Sequence, residues 1–374
     1  MIRTRIATLS AAIVAGVALL CTGPASSAPQ QPDSIPPALE EAVKMVFSDC
    51  TETAQYHYVM TGKIRLLFFW IGKDDVGDAY VNLGRGSERP ELESIHLRIG
   101  SDPAKAPRSI NRWGAMTEVI EREPVHGQPA RSSASFGFMK VTDGDTIRSI
   151  ESELESEHQE GRYPFQASIN RVERAVARAS ILPILSPTDL DIRQMDEAEQ
   201  MVLDQYADRF TSSRYRELRG NARTSCARNE GFLFTLEELI EAALDGQQAP
   251  VSLCYLYNTR HYTMNLREVK HIDEKRISFD LSQGGEVVRD YSDLLELRLE
   301  VHKRLTGKKS KFILLVGTSG ELRGVPVQAT YQPNWWFKAV LNLHIVTTAT
   351  VVPNAQSYAL VEAERITSLA VENR

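Results

Sequence analysis

Asp74-Asp75-x-x-Asp78 is the densest small acidic group in the sequence, and three oxygen donors in one loop could hold a hard cation such as calcium. The spacing does not match the D-x-[DN]-x-[DN]-G loop of an EF-hand, and a solvated acidic turn is the commoner role, so no metal is expected. A second unusual stretch runs from Gly100-Ser101-Asp102-Pro103 through Arg108 to Asn111-Arg112-Trp113-Gly114. Arg108, Asn111 and Arg112 carry donors suited to a carboxylate or phosphate, and Trp113 has a face on which a ligand can stack. The competing role for Trp113 is to pin its loop to a core, with an arginine lying across the ring. Trp335-Trp336 lies in an alternating run, which sends the two indoles to opposite faces. Trp335 then joins an apolar row, while Trp336 joins Lys338 and His344 and lines either a ligand cavity or the margin of the core.

Patterns for more demanding chemistry are missing. The eight histidines form no H-x-H, H-x-x-x-H or H-E-x-x-H unit, and zinc has no local signature. His261, His302 and His344 share the polar parity of the C-terminal strands with Arg298, Glu300 and Lys338; a solvated face is the ordinary reading of such positions. Gly317-Thr318-Ser319-Gly320 is not a G-x-S-x-G elbow, and its turn joins two strands. No G-x-G-x-x-G or P-loop pattern occurs. Glu40-Glu41 and Glu237-Glu238 read as helix-surface charges. No catalytic residue and no cofactor are assigned on these grounds.

The elements that must carry these residues begin behind a leader. Arg3 and Arg5 precede an apolar run from Ile6 to Leu20, and Ser26-Ser27-Ala28 supplies small residues for cleavage. The run is shorter than the roughly 20 residues a spanning helix needs. Residues 1–28 are therefore expected to be a cleaved export signal, which makes the product periplasmic or secreted. Export into an oxidising compartment suits one disulfide among Cys50, Cys226 and Cys254. Cys50 and Cys226 sit in polar, turn-like surroundings and form the favoured pair; Cys254, within the apolar Val251–Tyr257 stretch, reads as a buried thiol. Three reduced thiols are the alternative.

A chain of 374 residues with net charge −6 becomes −8 once Arg3 and Arg5 are removed. Such a surface has no surplus of Lys and Arg to release counterions, so neither nucleic acid nor an anionic membrane is expected as a main partner. No transmembrane segment follows the leader; the longest apolar run, Leu66–Ile71, fits a buried strand.

The pattern along the chain predicts an α+β fold. A Pro/Gln-rich linker (29–37) leads into an N-terminal β-rich domain (38–185). There Thr61-Gly62 is expected to turn a hairpin, and a helix is expected from Asp143 or Asp145 to Gly161 on the Ile147, Ile150, Leu154 face. A helical segment (186–249) follows, with helices over Met195–Phe210, extending toward Arg219, and after a Thr235–Glu238 capping box. Residues 250–350 form a C-terminal antiparallel meander, a half-barrel or barrel, because Leu295, Leu297, Leu299 and Val301 alternate with polar residues. A tail or helix (351–374) ends the chain. This architecture favours a non-enzymatic binding or scaffolding role in the cell envelope, toward an apolar small molecule or a protein partner. The rivals are a secreted hydrolase whose residues meet only in three dimensions, and a purely structural envelope component.

Overall fold

A computed structural model describes residues 50–66, 69–102, 105, 113–122, 132–143, 146–160, 171–181, 214–219, 231–257, 260–282, 284–304, 306–333 and 335–348. The leader, the linker, the helix expected at 195–210, and the tail lie outside these residues. Fourteen strands make one sheet. They are β1 (Cys50–Leu66), β2 (Phe69–Gly86), β3 (Leu92–Ser101), β4 (Trp113–Glu121), β5 (Ser132–Asp143), β6 (Thr146–Glu160), β7 (Arg171–Ile181) and β8 (Arg214–Arg219). After helix α1 (Phe232–Leu244) come β9 (Val251–Tyr257), β10 (Arg260–Leu281), β11 (Gly285–Lys303), β12 (Lys309–Gly317), β13 (Pro326–Gln332) and β14 (Phe337–Thr348). The spatial order is β8-β7-β6-β5-β4-β3-β2-β1-β14-β13-β12-β11-β10-β9. Each half is a meander, and antiparallel pairing of β1 with β14, from Ala54 opposite Thr348 to Ile64 opposite Phe337, joins them.

The α+β expectation with a helical middle segment is therefore corrected: among the described residues the fold is β, with one α-helix. The helix expected before Gly161 is strand β6. Its Ile147, Ile150 and Leu154 fit a helical stripe, but Glu151, Glu153, Glu155 and Glu157 also recur at the period of a strand. Pairing decides between them. Along its length β6 pairs with β7, Glu153 with Arg178 and Glu157 with Arg174. Arg214–Arg219, expected to prolong a helix, is strand β8. Thr61-Gly62 makes no turn either; β1 runs straight through it, and Leu66 pairs with Phe69.

The sheet curls because strands far apart in its order share the same packing partners. Helix α1 packs Leu239, Ile240 and Ala243 against Tyr255, Met264, Leu266, Leu297, Leu299, Leu314 and Val316 of β9–β12. Its first turn, Leu233 and Phe234, packs with Ile95 of β3 and Ile120 of β4. A third core joins Tyr58, Val59 and Ala79 of β1 and β2 to Ile277 and Phe279 of β10, Leu294, Leu315 and Leu343. Thus the first part of the long β10–β11 hairpin holds the helix, and its far part covers β1, β2 and β14.

Helix α1 starts at Phe232, three residues before the expected capping box; Thr235 is buried within the first turn, and Gly231 is the N-cap with no side chain to offer. The cap comes from another element. Glu118 of β4, 2% exposed, accepts N–H bonds from Leu233 (2.9 Å) and Phe234 (3.2 Å) through Oε2. A carboxylate here satisfies helix donors that would otherwise be stranded in the core. At Gly231 a Cβ would lie 2.6 Å from the Glu118 carboxyl carbon, so a side chain there would displace the capping carboxylate. Arg122, just past β4, reaches Glu237 at 3.2 Å, and Arg323 reaches Glu241 at 3.0 Å, so the helix is tied to both meanders. At its other end Gly246, at φ +81°, takes the left-handed turn and donates to the Ala243 carbonyl.

Burial pushes the Glu118 carboxyl up to about 7, against the backbone donors of Leu233, Phe234 and Phe232 that favour its charged form. Below about pH 4.5 the group is protonated folded or unfolded; between there and pH 7 only the folded chain keeps the proton. Stability therefore falls as pH rises through that window, by about 3 kcal/mol in all. Glu118→Gln keeps an acceptor without the charge. Urea midpoints should show the variant gaining on wild type between pH 5 and pH 8; a difference that is constant with pH would contradict this account.

Candidate functional site

Register across β1–β4 puts His57, Tyr80, Arg98 and Ala115 side by side in one row. The next row, Tyr58, Ala79, Ile99 and Gly114, points the other way and feeds the core. The polar row gathers ionisable and aromatic groups from three strands. His57 Nε2 lies 2.7 Å from Asp78 Oδ1, and Asp78 is 2% exposed. The His57 ring stacks on Tyr80, with centroids 4.5 Å apart and planes 5° from parallel. The Arg98 guanidinium sits 5.3 Å from the centroid of Tyr80. A buried carboxylate must be compensated, and Asp78 is held against an imidazole on the neighbouring strand.

His344 enters this group from β14. Pairing steps from His57–Ile345 to Tyr58–Leu343, so His344 is the extra residue of a bulge. Its ring meets His57 edge-on at 5.4 Å and Phe279 of β10 at 6.0 Å. Arg289 of β11 donates to the His344 carbonyl at 3.1 Å. Burial, then the nearby His57 and Arg289, hold the His344 imidazole below its ordinary range.

The acidic triplet lies in strand β2, away from any solvated turn. The Thr61 hydroxyl donates to Asp74 Oδ1 at 2.6 Å, and the Asp280 N–H to Asp74 Oδ2 at 3.3 Å. Asp75, with its backbone at φ 52°, accepts at Oδ2 from Lys105 Nζ (2.6 Å) and from the Ser282 N–H (2.8 Å). Burial alone would raise the Asp75 carboxyl; Lys105 and Ser282 outweigh it and bring it below the usual carboxylate range. Asp102 reaches the same Lys105 at 3.2 Å. Asp74 and Asp75 thus act as staples from β2 to the end of β10. No cluster of ligands able to hold a metal occurs among the described residues.

The other expected residues are scattered. Arg108, Asn111 and Arg112 lie outside the described residues, and Trp113 opens β4 opposite Gly100. Trp336 precedes β14 and leans on Phe337, about 25 Å along the strand from His344. Trp335 is 67% exposed and does not join the apolar row; it precedes β14, which begins at Phe337. His302 bonds Glu300, which also takes Arg267 (2.9 Å) and Lys309 (3.4 Å) and is held down to about 2, chiefly by His302. That cluster on β10–β12 is separate in its contacts from His57 and His344. The favoured Cys50–Cys226 disulfide is corrected: Cys50 is a free thiol beside Gly84 at the start of β1, and Cys254, expected to be reduced, is disulfide-bonded.

His57, Tyr80 and Arg98 carry no local spacing signal, since they come from three strands. Only the correct β1–β2 turn would have aligned them.

No family model and no curated protein matches the sequence. Among solved structures, the crystal structure of the beta-barrel-like protein of domain of unknown function DUF1849 from Brucella abortus is similar, with TM-score 0.41 and 9% identity. That match covers 80% of this chain and 100% of the other.

Two outcomes test this geometry. Asp78→Ala should destabilise by about 1 kcal/mol in urea, because it removes the acceptor of the half-buried His57 ring. By NMR, His344 should titrate below 6.5, and Arg289→Gln should move it upward by removing a nearby positive charge. Since an imidazole depressed in the folded state charges more readily when unfolded, its contribution to stability falls as pH drops below about 6.5.

Proposed function

We propose that this protein is exported and serves in the cell envelope as a non-enzymatic binding or scaffolding protein. The observation that carries the reading is the curled sheet closed on one amphipathic helix: strands nine places apart in the sheet order share α1 as a common packing partner. A surface that accepts the apolar face of a helix has the chemistry to accept an apolar ligand or a helical segment of a partner. Export is supported by the Arg3, Arg5, Ile6–Leu20 and Ser26–Ala28 pattern, and a disulfide at Cys254 suits an oxidising compartment.

The buried charges support binding over catalysis. Asp74, Asp75 and Oε2 of Glu118 accept from backbone N–H groups that fasten strand to strand or strand to helix. One observation favours the hydrolase: His57 and Asp78, at 2.7 Å, have the geometry of an oriented general base.

Native mass spectrometry on protein purified from the envelope fraction of its host distinguishes these readings. A bound mass that is released on unfolding, or a stoichiometric partner, is the expected result. Apo protein without partner overturns the binding role, and a mature product still beginning at Met1 overturns export. Ester or amide turnover that disappears in His57→Ala would establish the hydrolase instead.

A further inference from the structure

Of the apolar run Leu66–Ile71, expected to be buried, Phe69 and Ile71 stand exposed at the start of β2, where Leu66 of β1 pairs with Phe69. Ile64, Phe69 and Ile71 are 49%, 74% and 51% exposed. Register defines the two faces of this tip. Ile64 lies between Ile71 and Phe337 in the three-strand row, and Phe69 follows Ile71 with the same parity, so this face is wholly apolar. Lys63 lies opposite Lys338, and Arg65 opposite Trp70, on the other face. There the Lys338 ammonium sits 4.2 Å from the centroid of the Trp70 ring. The Arg65 N–H bonds the Trp336 carbonyl at 2.7 Å, which holds the exposed Trp335 beside the same tip.

We infer that this hairpin tip docks onto the surface of a bilayer containing anionic phospholipid. From Lys63 onward the tip is three residues deep, about 10 Å of strand, which matches the 5–10 Å that interfacial segments enter the boundary between headgroups and acyl chains. Exposed Ile and Phe side chains supply the inserting surface, and the indoles of Trp70 and Trp335 are residues that settle at headgroup level. Charge complementarity selects the occupant. The tip positions 63–66, 69–72 and 335–338 contain Lys63, Arg65 and Lys338 and no acidic residue, although the whole chain is at −6. The cations are crowded enough that burial, Lys63 and Arg65 together hold Lys338 below its ordinary value, so phosphate headgroups would relieve a local repulsion. An acidic body with one basic end also approaches an anionic surface in a single orientation.

The test is co-sedimentation of the full exported chain with phosphatidylcholine vesicles, with and without phosphatidylglycerol, followed also by tryptophan fluorescence. Wild type should partition onto the phosphatidylglycerol vesicles with a blue-shifted emission and should be released by salt. Phe69→Ser with Ile71→Ser should weaken partitioning at least tenfold, and Lys63→Gln with Arg65→Gln should abolish the preference for the anionic vesicles. Arg65, Phe69 and Ile71 are exposed and Lys63 is half-buried, so unchanged circular dichroism should confirm that the variants fold. Equal binding by wild type and Phe69→Ser/Ile71→Ser, or no binding by either, overturns the inference. So does a wild-type dimer in sedimentation that the same variant makes monomeric, since the tip would then join two copies of this chain.

Discussion

The hydrogen-bonded seam between β1 and β14 is what makes one sheet out of two meanders. It joins Ala54 to Thr348, close to the two ends of the described chain. Everything else about the fold inherits from this long-range pairing. Closing so long a loop costs chain entropy that only many contacts at once can offset, and the contacts that do so lie on both sides of the seam. Tyr58 and Ala79 come from one meander and Phe279, Leu315 and Leu343 from the other, yet they share a single apolar core. The His57 group exists for the same reason: His344 reaches His57 only because β14 lies beside β1.

Helix α1 is the second coupling between the meanders, and it depends on electrostatics more than on helix propensity. Its N-terminus is closed by a carboxylate from β4, while its apolar stripe rests on β9–β12. The arrangement exchanges one desolvated charge for several satisfied backbone donors. That exchange is tolerable because the donors lie within hydrogen-bond distance, and it leaves Glu118 with a proton affinity far from that of a surface glutamate. Asp74 and Asp75 use the same principle on β10, where backbone N–H groups at Asp280 and Ser282 are taken up by acids of β2. Asp74, Asp75 and Glu118 serve as structural fasteners.

What could be read in the sequence follows from how local each signal is. The alternation of Leu295, Leu297, Leu299 and Val301 needs only its own strand, and β11 carries it with these residues in one core. The inward stripe Leu239, Ile240 and Ala243 was legible for the same reason. β6 was not, because Ile147, Ile150 and Leu154 satisfy a helical period while the glutamates between them satisfy a strand period, and only β5 and β7 on either side settle the contest. The Thr235–Glu238 pattern misled because the true cap is a residue over a hundred positions away, and the Leu66–Ile71 run because apolarity by itself does not say which side of a fold it will occupy. The His57, Tyr80 and Arg98 row required the pairing partners of three strands, and a turn assigned at Thr61-Gly62 hides all of them.

The order in which the strands are made has a consequence for the cell. A ribosome delivers β1 well before β14, so the open flank of β1 waits for its neighbour while the strands between them are made. During that interval it offers a long row of exposed backbone groups to any other extended chain. A nascent polypeptide of this design is best kept from folding until its last strand has emerged, a condition that delivery to another compartment as an unfolded thread would meet.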